Sequence, residues 1–259
     1  MLWYTDDDGD GKVDIYIGGA NGVVETGTSG QGMFAYLENV ETLDLTNLNT
    51  SNITNMSSMF QGNGSLKEII LSNFDTTNVT SMANMFSGCK SLTSLDLDSF
   101  DTGQVKNMQH MFYNCNSLTS LDLSNFSTPK LTQMYQLFYG WGSITSINIS
   151  SLNTTNIKNM NSVFYGCKSL QNLDISSFNT SQVIYMNEMF QECNKLETIY
   201  VSELWNTDAI VTASRMFRGC NLLKGGEGTA FDSNYEEEDY AKIDGGTNDP
   251  GYLTLKATQ

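Results

Sequence analysis

The sequence predicts an α/β solenoid in which each coil contributes one short strand and one short helix. Three observations predict it. Aliphatic residues recur with a constant period in three columns, the two ends of the chain carry no repeat, and phenylalanine recurs every 26 residues at Phe34, Phe60, Phe86, Phe112, Phe138, Phe164 and Phe190, then after 27 at Phe217. A fixed period of about 20–50 residues is typical of stacked structural repeats rather than of one or two globular domains.

The chain is sparsely charged but strongly acidic. Its 259 residues include 13 Lys and Arg against 29 Asp and Glu, which gives a formal net charge of −16. This excess argues against binding to nucleic-acid phosphates and to anionic membrane surfaces. The one histidine, His110, excludes most histidine-based catalytic and zinc sites. No apolar run is long enough to span a bilayer, so we expect neither nucleic acid nor membrane insertion. The first residues do not resemble a signal peptide, which predicts a cytoplasmic protein or a mature or excised fragment.

Residues 1–32 contain no repeat and are expected to form an N-terminal β-hairpin cap over the first coil. The predicted turn of this hairpin resembles a calcium-binding loop. Asp6, Asp8 and Asp10 would supply oxygens at loop positions 1, 3 and 5, and Asp14 at position 9. The usual bidentate carboxylate at position 12 is replaced by Ile17, so a solvated Asp-Gly turn is the alternative to a calcium site.

Residues 33–220 carry the repeats and are expected to form about seven coils. In the second full repeat, alternating apolar residues at Ile69 and Leu71 predict a strand. The spacing of Met82, Met85, Phe86 and Cys89 then predicts one apolar face of a short helix, which a glycine at 88 would end. Residues 221–259 are glycine-rich and acidic, and we expect a C-terminal cap. Caps at both ends argue against end-to-end stacking, so a monomer is expected.

The repeat has a recognisable sequence signature. The stretch SLTSLDLDSFDTGQVKNMQHMFYNC (91–115) resembles the BspA-like leucine-rich repeats of bacterial surface proteins, in the variant with LDLSxFDTSxVTxMxxMFxxC. The resemblance covers about residues 33–220, and YAKIDGGTNDPGYLTLK (240–256) is similar to the C-terminal cap of that family. It implies a curved leucine-rich repeat with parallel strands on the concave face and short helices on the convex face. It also implies an extracellular or surface location and a role in adhesion or host interaction. Trp141 and Asn63 stand where other repeats have cysteine.

Aspartates occupy one outward column of the predicted strands, at Asp44, Asp96, Asp122 and Asp174, with Asn148 and Tyr200 in the same column. In a leucine-rich repeat this column faces the concave surface. Like charges at the spacing of neighbouring strands repel unless they are solvated, screened or paired. The column therefore indicates either a surface for a cationic partner or a bridging metal ion, or a face that only keeps the protein soluble.

Tyrosines occupy another column, directly after the helix phenylalanine. Tyr113, Tyr139 and Tyr165 lie in three successive coils, and Tyr135 and Trp141 belong to the middle coil of the three. Helical geometry predicts that this column is partly exposed. An exposed aromatic row could bind a glycan or a protein, because aromatic side chains combine a large apolar area with a polar group. Packing between neighbouring coils is the alternative.

The remaining periodic residues favour a structural interpretation. The five cysteines lie in one inward column, where buried reduced thiols are favoured over disulfides or a metal site. The threonine that recurs after each strand could form an ice-binding array, but a hydrogen bond to the backbone of its own turn is favoured.

The sequence carries no catalytic constellation, so we expect no enzyme activity. The leading hypothesis is a non-catalytic binding module of a secreted or surface-displayed bacterial protein, which recognises a host or cell-surface protein or a glycan. The competing hypothesis is a structural spacer without a ligand of its own. No cofactor is expected, apart from calcium in the Asp6–Asp14 loop.

Overall fold

The computed structural model describes residues 2–5, 11, 13–17 and 24–257. The repeats form a parallel β-solenoid of about seven turns, in which each turn of the chain lies in register on the next. Two ladders of backbone pairing run along the solenoid. One lies on the strand side, and the other joins single residues before each set of turns, at Ser29, Asn55, Ser81, Asn107 and Gln133, and at Asn159, Tyr185 and Thr212.

The strands are short and pair mostly in parallel. Their bounds are β1 Leu2–Thr5, β2 Val13–Ile17, β3 Val24–Glu25, β4 Val40–Asp44, β5 Leu48–Asn49, β6 Glu68–Ile70, β7 Ser120–Asp122, β8 Ser146–Asn148, β9 Asn172–Asp174, β10 Thr198–Val201 and β11 Leu253–Leu255. β1 and β2 form an antiparallel pair, and β2 then pairs in parallel with β4 and β4 with β6. β3 pairs with β5, β7 with β8, and β10 with both β9 and β11.

The prediction of a short helix in each repeat is wrong. Within the described residues the helices are two 3₁₀ turns near the C-terminus, Glu238–Tyr240 and Gly246–Asn248. Where each repeat was expected to be helical, every second N–H donates to the next coil. Phe60 N donates to the carbonyl of Met85 at 2.9 Å, for example, and Gly62 N to that of Ser87 at 2.7 Å. A helix would use these N–H groups internally and could not form this hydrogen-bonded ladder between coils.

Linked β-turns replace the helix. In one coil, turns close from Met82 to Met85, from Asn84 to Ser87 and from Phe86 to Cys89, each by a backbone hydrogen bond. The third residue of the first turn has a positive φ in every coil, at Ser58, Asn84, His110, Gln136, Ser162, Glu188 and Arg215. We call these residues the left-handed column. Each turn places its apolar side chains inward, so the residues predicted for a helix face are buried without a helix.

The core consists of side chains stacked on their equivalents in neighbouring coils. Phe60 and Phe86 stack with ring centroids 5.4 Å apart, and the same stack continues through Phe217. This distance is within the favourable range for aromatic pairs. The extra residue in the last repeat shifts one position. Leu223 therefore fills the buried position that Leu196 occupies in the preceding coil, and Leu222 is exposed.

The threonine column joins adjacent coils rather than capping its own turn. Thr76 Oγ1 donates to the carbonyl of Asp101 at 2.8 Å and accepts from Asp101 N at 2.7 Å. The same reciprocal pair joins Thr154 to Asn179. These threonines are buried, so their hydroxyls cannot form the surface array considered for ice binding. Each hydroxyl thus supplies the coil-to-coil hydrogen bonds that a backbone N–H and carbonyl would otherwise supply.

The ends of the solenoid are covered by non-repeated segments. β2 lies beside the first repeat strand, β4, and β11 lies beside the last, β10. At the C-terminal end, Trp205 Nε1 donates to the carbonyl of Ala241 at 2.7 Å, and the Tyr252 ring meets Phe217 edge-on at 5.2 Å. The predicted cap boundaries at residues 32 and 221 stay predictions. In the part of the chain that the structure describes, no helix is long and apolar enough to cross a membrane.

Candidate ligand-binding surface

Trp141 was expected among the ligand-binding residues, and the structure corrects this. Its side chain is fully buried and packs edge-on against Phe112 and Phe138. Its indole N–H donates to the carbonyl of Phe112. The residue therefore cannot present its ring to a partner at the surface.

The Trp141 hydrogen bond also explains why residues other than cysteine are accepted at its position. Cys89 Sγ donates to the carbonyl of Phe60 at 3.2 Å, and Asn63 Nδ2 donates to the carbonyl of Phe34 at 2.8 Å. Thiol, amide and indole all donate to the phenylalanine carbonyl of the preceding coil. The column thus requires a buried donor rather than cysteine chemistry.

All five thiols are expected to be unreactive in the native protein. They are unpaired and buried. Burial raises the pKa of Cys89 to about 12 and also raises the pKa of Cys115 well above its usual value. Because the thiolate is the nucleophile, titration with an aromatic disulfide reagent should detect no thiol in buffer and all five in denaturant. Rapid labelling of one thiol under native conditions would contradict this arrangement.

The aspartate column fixes the turn that ends each strand. One oxygen of Asp96 accepts from Asp98 N at 2.9 Å, and one oxygen of Asp122 accepts from Ser124 N at 2.8 Å. Hydrogen bonds from the backbone and side chain of Ser124 lower the pKa of Asp122, so this exposed carboxylate is ionised near neutral pH. The column therefore has a structural role, and a cationic partner remains a hypothesis.

Asp174 differs from the other aspartates because the C-terminal cap neutralises it. Lys256 Nζ forms an ion pair with its Oδ2. Burial raises the pKa of Asp174, but hydrogen bonds from Lys256 and Ser176 outweigh this effect and lower it. The ion pair borders a cavity of about 350 Å³ on the strand side. The charge that this cavity would offer a cationic partner is thus already compensated.

The three predicted tyrosines form a stack along the turn side of the solenoid. The rings of Tyr113 and Tyr139 lie 4.6 Å apart, and those of Tyr139 and Tyr165 lie 4.4 Å apart, with interplanar angles of 11° and 5°. All three side chains are half-buried. Burial, with the neighbouring Tyr165 and Tyr113, raises the pKa of Tyr139 to about 12, so the central phenol of the stack is uncharged near pH 7. Both faces of Tyr139 are covered, which leaves the two ends of the stack, at Tyr113 and at Tyr165, for a further ring contact.

A shallow groove opens beside Tyr113. It has a volume of about 280 Å³ and is lined by Gln61, Asn84, Ser87, His110, Tyr113 and Gln136. We call it the turn-side groove. It lies between the left-handed column and the column that contains the tyrosines. Its lining combines amides, a hydroxyl, an imidazole and a phenol, without a carboxylate or an ammonium group.

His110 forms one wall of the turn-side groove. Its ring meets Tyr113 edge-on at 5.6 Å and Tyr135 edge-on at 4.9 Å, and its Nε2 lies 2.6 Å from Gln136 Oε1. An amide oxygen only accepts, so Nε2 carries the proton and donates. Burial lowers the pKa of His110 more than the Gln136 hydrogen bond raises it, so the imidazole is neutral near pH 7.

Sequence reasoning did not find Asn84 and Gln136 as candidate site residues. A helix was expected at both positions, and their neighbourhood depends on turns that bring equivalent residues of successive coils side by side. The available signal was the column itself, which changes from Ser58 to Asn84, His110, Gln136 and Glu188 while the buried columns stay nearly constant. Such variation at a position with left-handed backbone indicates that the side chains are free to serve the surface.

The proposed calcium loop lies mostly outside the described residues. Asp6, Asp8 and Asp10 are outside the described residues, whereas Asp14 lies in β2 and is half-buried. Within the described ranges, no three His, Cys, Asp or Glu residues are grouped so that they could hold a metal ion. Calcium binding therefore stays a prediction.

Comparison with known proteins gives a family and several remote structural matches. The sequence profile of a family described as "Mycoplasma protein of unknown function, DUF285" matches residues 28–147 and 132–237, which is most of the chain. No curated protein is significantly similar to it.

Among solved structures, a leucine-rich repeat protein from Bacteroides ovatus is 14% identical, with 86% of this chain and 80% of that chain covered and a TM-score of 0.35. A leucine-rich repeat protein from T. pallidum is also 14% identical, with coverages of 85% and 87% and a TM-score of 0.36. A leucine-rich cell surface protein from Faecalibacterium prausnitzii is 15% identical, with coverages of 86% and 93% and a TM-score of 0.24.

Proposed function

Because the chain belongs to the DUF285 family, whose function is open, we propose from its own geometry that it is a non-catalytic binding module. The module recognises a host or cell-surface partner through the turn side of the solenoid. The observation that carries this proposal is the turn-side groove, an uncharged recess next to the open end of an aromatic stack in a protein of net charge −16.

The turn side is a rigid platform for recognition. Its backbone is tied from coil to coil by hydrogen bonds, such as Gly88 N to the carbonyl of Tyr113 and Gly140 N to that of Tyr165, both at 2.7 Å. A surface held in this way loses little further conformational freedom when a partner binds, which favours affinity. The resemblance of the repeat to BspA-like proteins supports a secreted or surface location for such a module.

A non-catalytic role agrees with the surroundings of the potential catalytic groups. His110 Nε2 is engaged with Gln136, and the thiols lie in the core away from solvent. The groove side chains can donate and accept hydrogen bonds, but no ionised base or nucleophile lines the groove. Such an arrangement favours holding a ligand over transforming it.

The proposal predicts saturable binding in a screen of the purified protein against extracellular-matrix proteins and a glycan array at physiological salt. The double variant His110→Asn and Gln136→Asn should abolish binding, since asparagine tolerates the left-handed backbone but shortens both side chains. The strand-side double variant Asp96→Asn and Asp122→Asn should bind like the wild type. Binding that both double variants retain would contradict a turn-side site, and the absence of saturable binding by the wild type would favour a spacer.

The same screen, repeated with calcium and with EDTA, tests the N-terminal loop. Binding through the turn-side groove should not depend on calcium, because no carboxylate lines it. Loss of binding in EDTA would instead bring the Asp6–Asp14 loop into the interaction.

A further inference from the structure

We infer that the turn-side groove binds an uncharged saccharide unit, with the open face of Tyr113 as the stacking platform. This inference rests on the proposed binding function and names the ligand class for the same site. The free ring face, the uncharged hydrogen-bonding groups and the size of the groove each support it.

Tyr113 ends the tyrosine stack, so no tyrosine stacks on its second ring face, and the His110 ring meets Tyr113 edge-on. Tyr139 covers the other face at 4.6 Å. In the preceding coil the same column holds Ser87, and the backbone ladder from Gly62 to Ser87 and from Gly88 to Tyr113 keeps the register. A serine is too small to cover a phenol ring. The apolar C–H face of a sugar ring fits such an aromatic surface.

The rim of the groove supplies the hydrogen-bonding groups that sugar hydroxyls need. Each sugar hydroxyl both donates and accepts, and an amide offers both functions at fixed geometry. Gln61, Asn84 and Gln136 bring three amides to the groove. Since Gln136 Oε1 is occupied by His110, its NH₂ group is the part available to a ligand. Neutral His110 offers Nδ1 as an acceptor.

Charge selects against other ligand classes. A cationic ligand would find no carboxylate in the groove, and an anionic ligand would find no basic side chain there. The net charge of −16 also repels anions before they reach the surface. The volume of about 280 Å³ lies at the lower end of small-molecule sites, so one residue of a longer neutral glycan would occupy it.

Residue choice in the left-handed column supports a role beyond folding. Glycine and asparagine adopt a positive φ at the lowest cost, whereas His110 and Gln136 adopt φ of 55° and 53° against the preference of their side chains. The turn alone would favour asparagine at both positions. The longer side chains meet each other and form the wall of the groove.

Two variants of the tyrosine column test the inference with a matched design. Ser87→Tyr extends the stack over the open face of Tyr113 and should reduce saccharide affinity at least about tenfold. Gln191→Tyr extends the same column at its other end, beyond Tyr165, and should leave the affinity within about twofold. Asn84→Gly removes one amide while keeping the left-handed backbone, and serves as the second test variant if Ser87→Tyr does not fold.

His110 provides a direct reporter because it is the only histidine in the chain. With ¹⁵N-histidine labelling, the free protein should show one imidazole in the Nε2–H form. Titration with neutral oligosaccharides of glucose, galactose, mannose and N-acetylhexosamines should shift this signal to saturation, and sulfated and sialylated counterparts should not. Added salt should change the affinity little, because no charge is involved.

The outcomes separate this inference from the proposed function. Saccharide binding that shifts His110 and is lost in Ser87→Tyr, or in Asn84→Gly if the former is unfolded, supports both. Saccharide binding that neither variant changes, or that requires a charged sugar, overturns the inference. Binding to a matrix protein alone overturns the inference and leaves the proposed function standing. Binding to no probe overturns both.

Discussion

Replacement of Thr154 by valine is expected to lower the free energy of unfolding by about 2–4 kcal/mol. The side chain is only 1% exposed, and its Oγ1 both donates to the carbonyl of Asn179 at 3.0 Å and accepts from Asn179 N at 2.8 Å. Valine keeps the shape and packing of threonine but offers neither hydrogen bond. Two backbone groups of the next coil then lose their partner where water has little access.

The neighbouring Thr155→Val variant is the matched control. Thr155 is exposed, so the same chemical change should alter the stability by less than about 0.5 kcal/mol. Urea unfolding followed by far-ultraviolet circular dichroism measures both variants. Equal midpoints for Thr154→Val and the wild type would show that the threonine column fills space without joining the coils.

The threonine column illustrates how far the sequence predicts this fold. The 26-residue period correctly identifies the inward residues, including Phe86, Met82 and Met85. It does not identify their secondary structure, because periodicity records which side chains face the core and not where each N–H donates. A series of linked turns can bury residues at the same spacing as a short helix does. The choice between them depends on hydrogen bonds to residues about 25 positions away, which local patterns do not contain.

The candidate site was predictable to a similar degree. The column of Tyr113, Tyr139 and Tyr165 was visible in the sequence, but both the stacking of the rings and the open face of Tyr113 follow from coil spacing. The prediction that Trp141 is exposed was wrong. This tryptophan replaces the cysteine of its repeat, and the position requires a buried hydrogen-bond donor. The contact of His110 with Gln136 joins residues 26 apart, and only a known stacking register reveals it.

Replacement of Asp244 by alanine is expected to release the C-terminal cap and cost about 3–5 kcal/mol. This carboxylate is 5% exposed. It accepts from Thr229 Oγ1 at 2.6 Å and from the backbone N–H groups of Thr229, Glu227, Gly246 and Gly251 at 2.9–3.3 Å. Alanine leaves these converging donors without an acceptor, and the loops they belong to would no longer be held together.

The pH dependence of the cap follows from the same carboxylate. Burial raises the pKa of Asp244, but the hydrogen bonds from Thr229 and the backbone outweigh burial and lower it to about 2 from 3.8. The lowered value means that the folded state favours the ionised form. Its contribution is complete above pH 3.8 and is lost as the pH falls towards 2. Asp244→Asn should remove this acid-dependent step, and the exposed Asp239→Asn should retain it.

Hydrogen exchange in Asp244→Ala would show how stability is distributed along the solenoid. Trp205 donates to the cap at Ala241, and Phe217 packs on Tyr252 of the cap. Release of the cap therefore exposes the last stacked rings first, and each coil depends mainly on its neighbours. Protection should fall in β10 and then in β9, while the coil of His110 keeps its amides protected. A uniform loss of protection in all coils would contradict this order and would indicate that the solenoid unfolds as one cooperative unit.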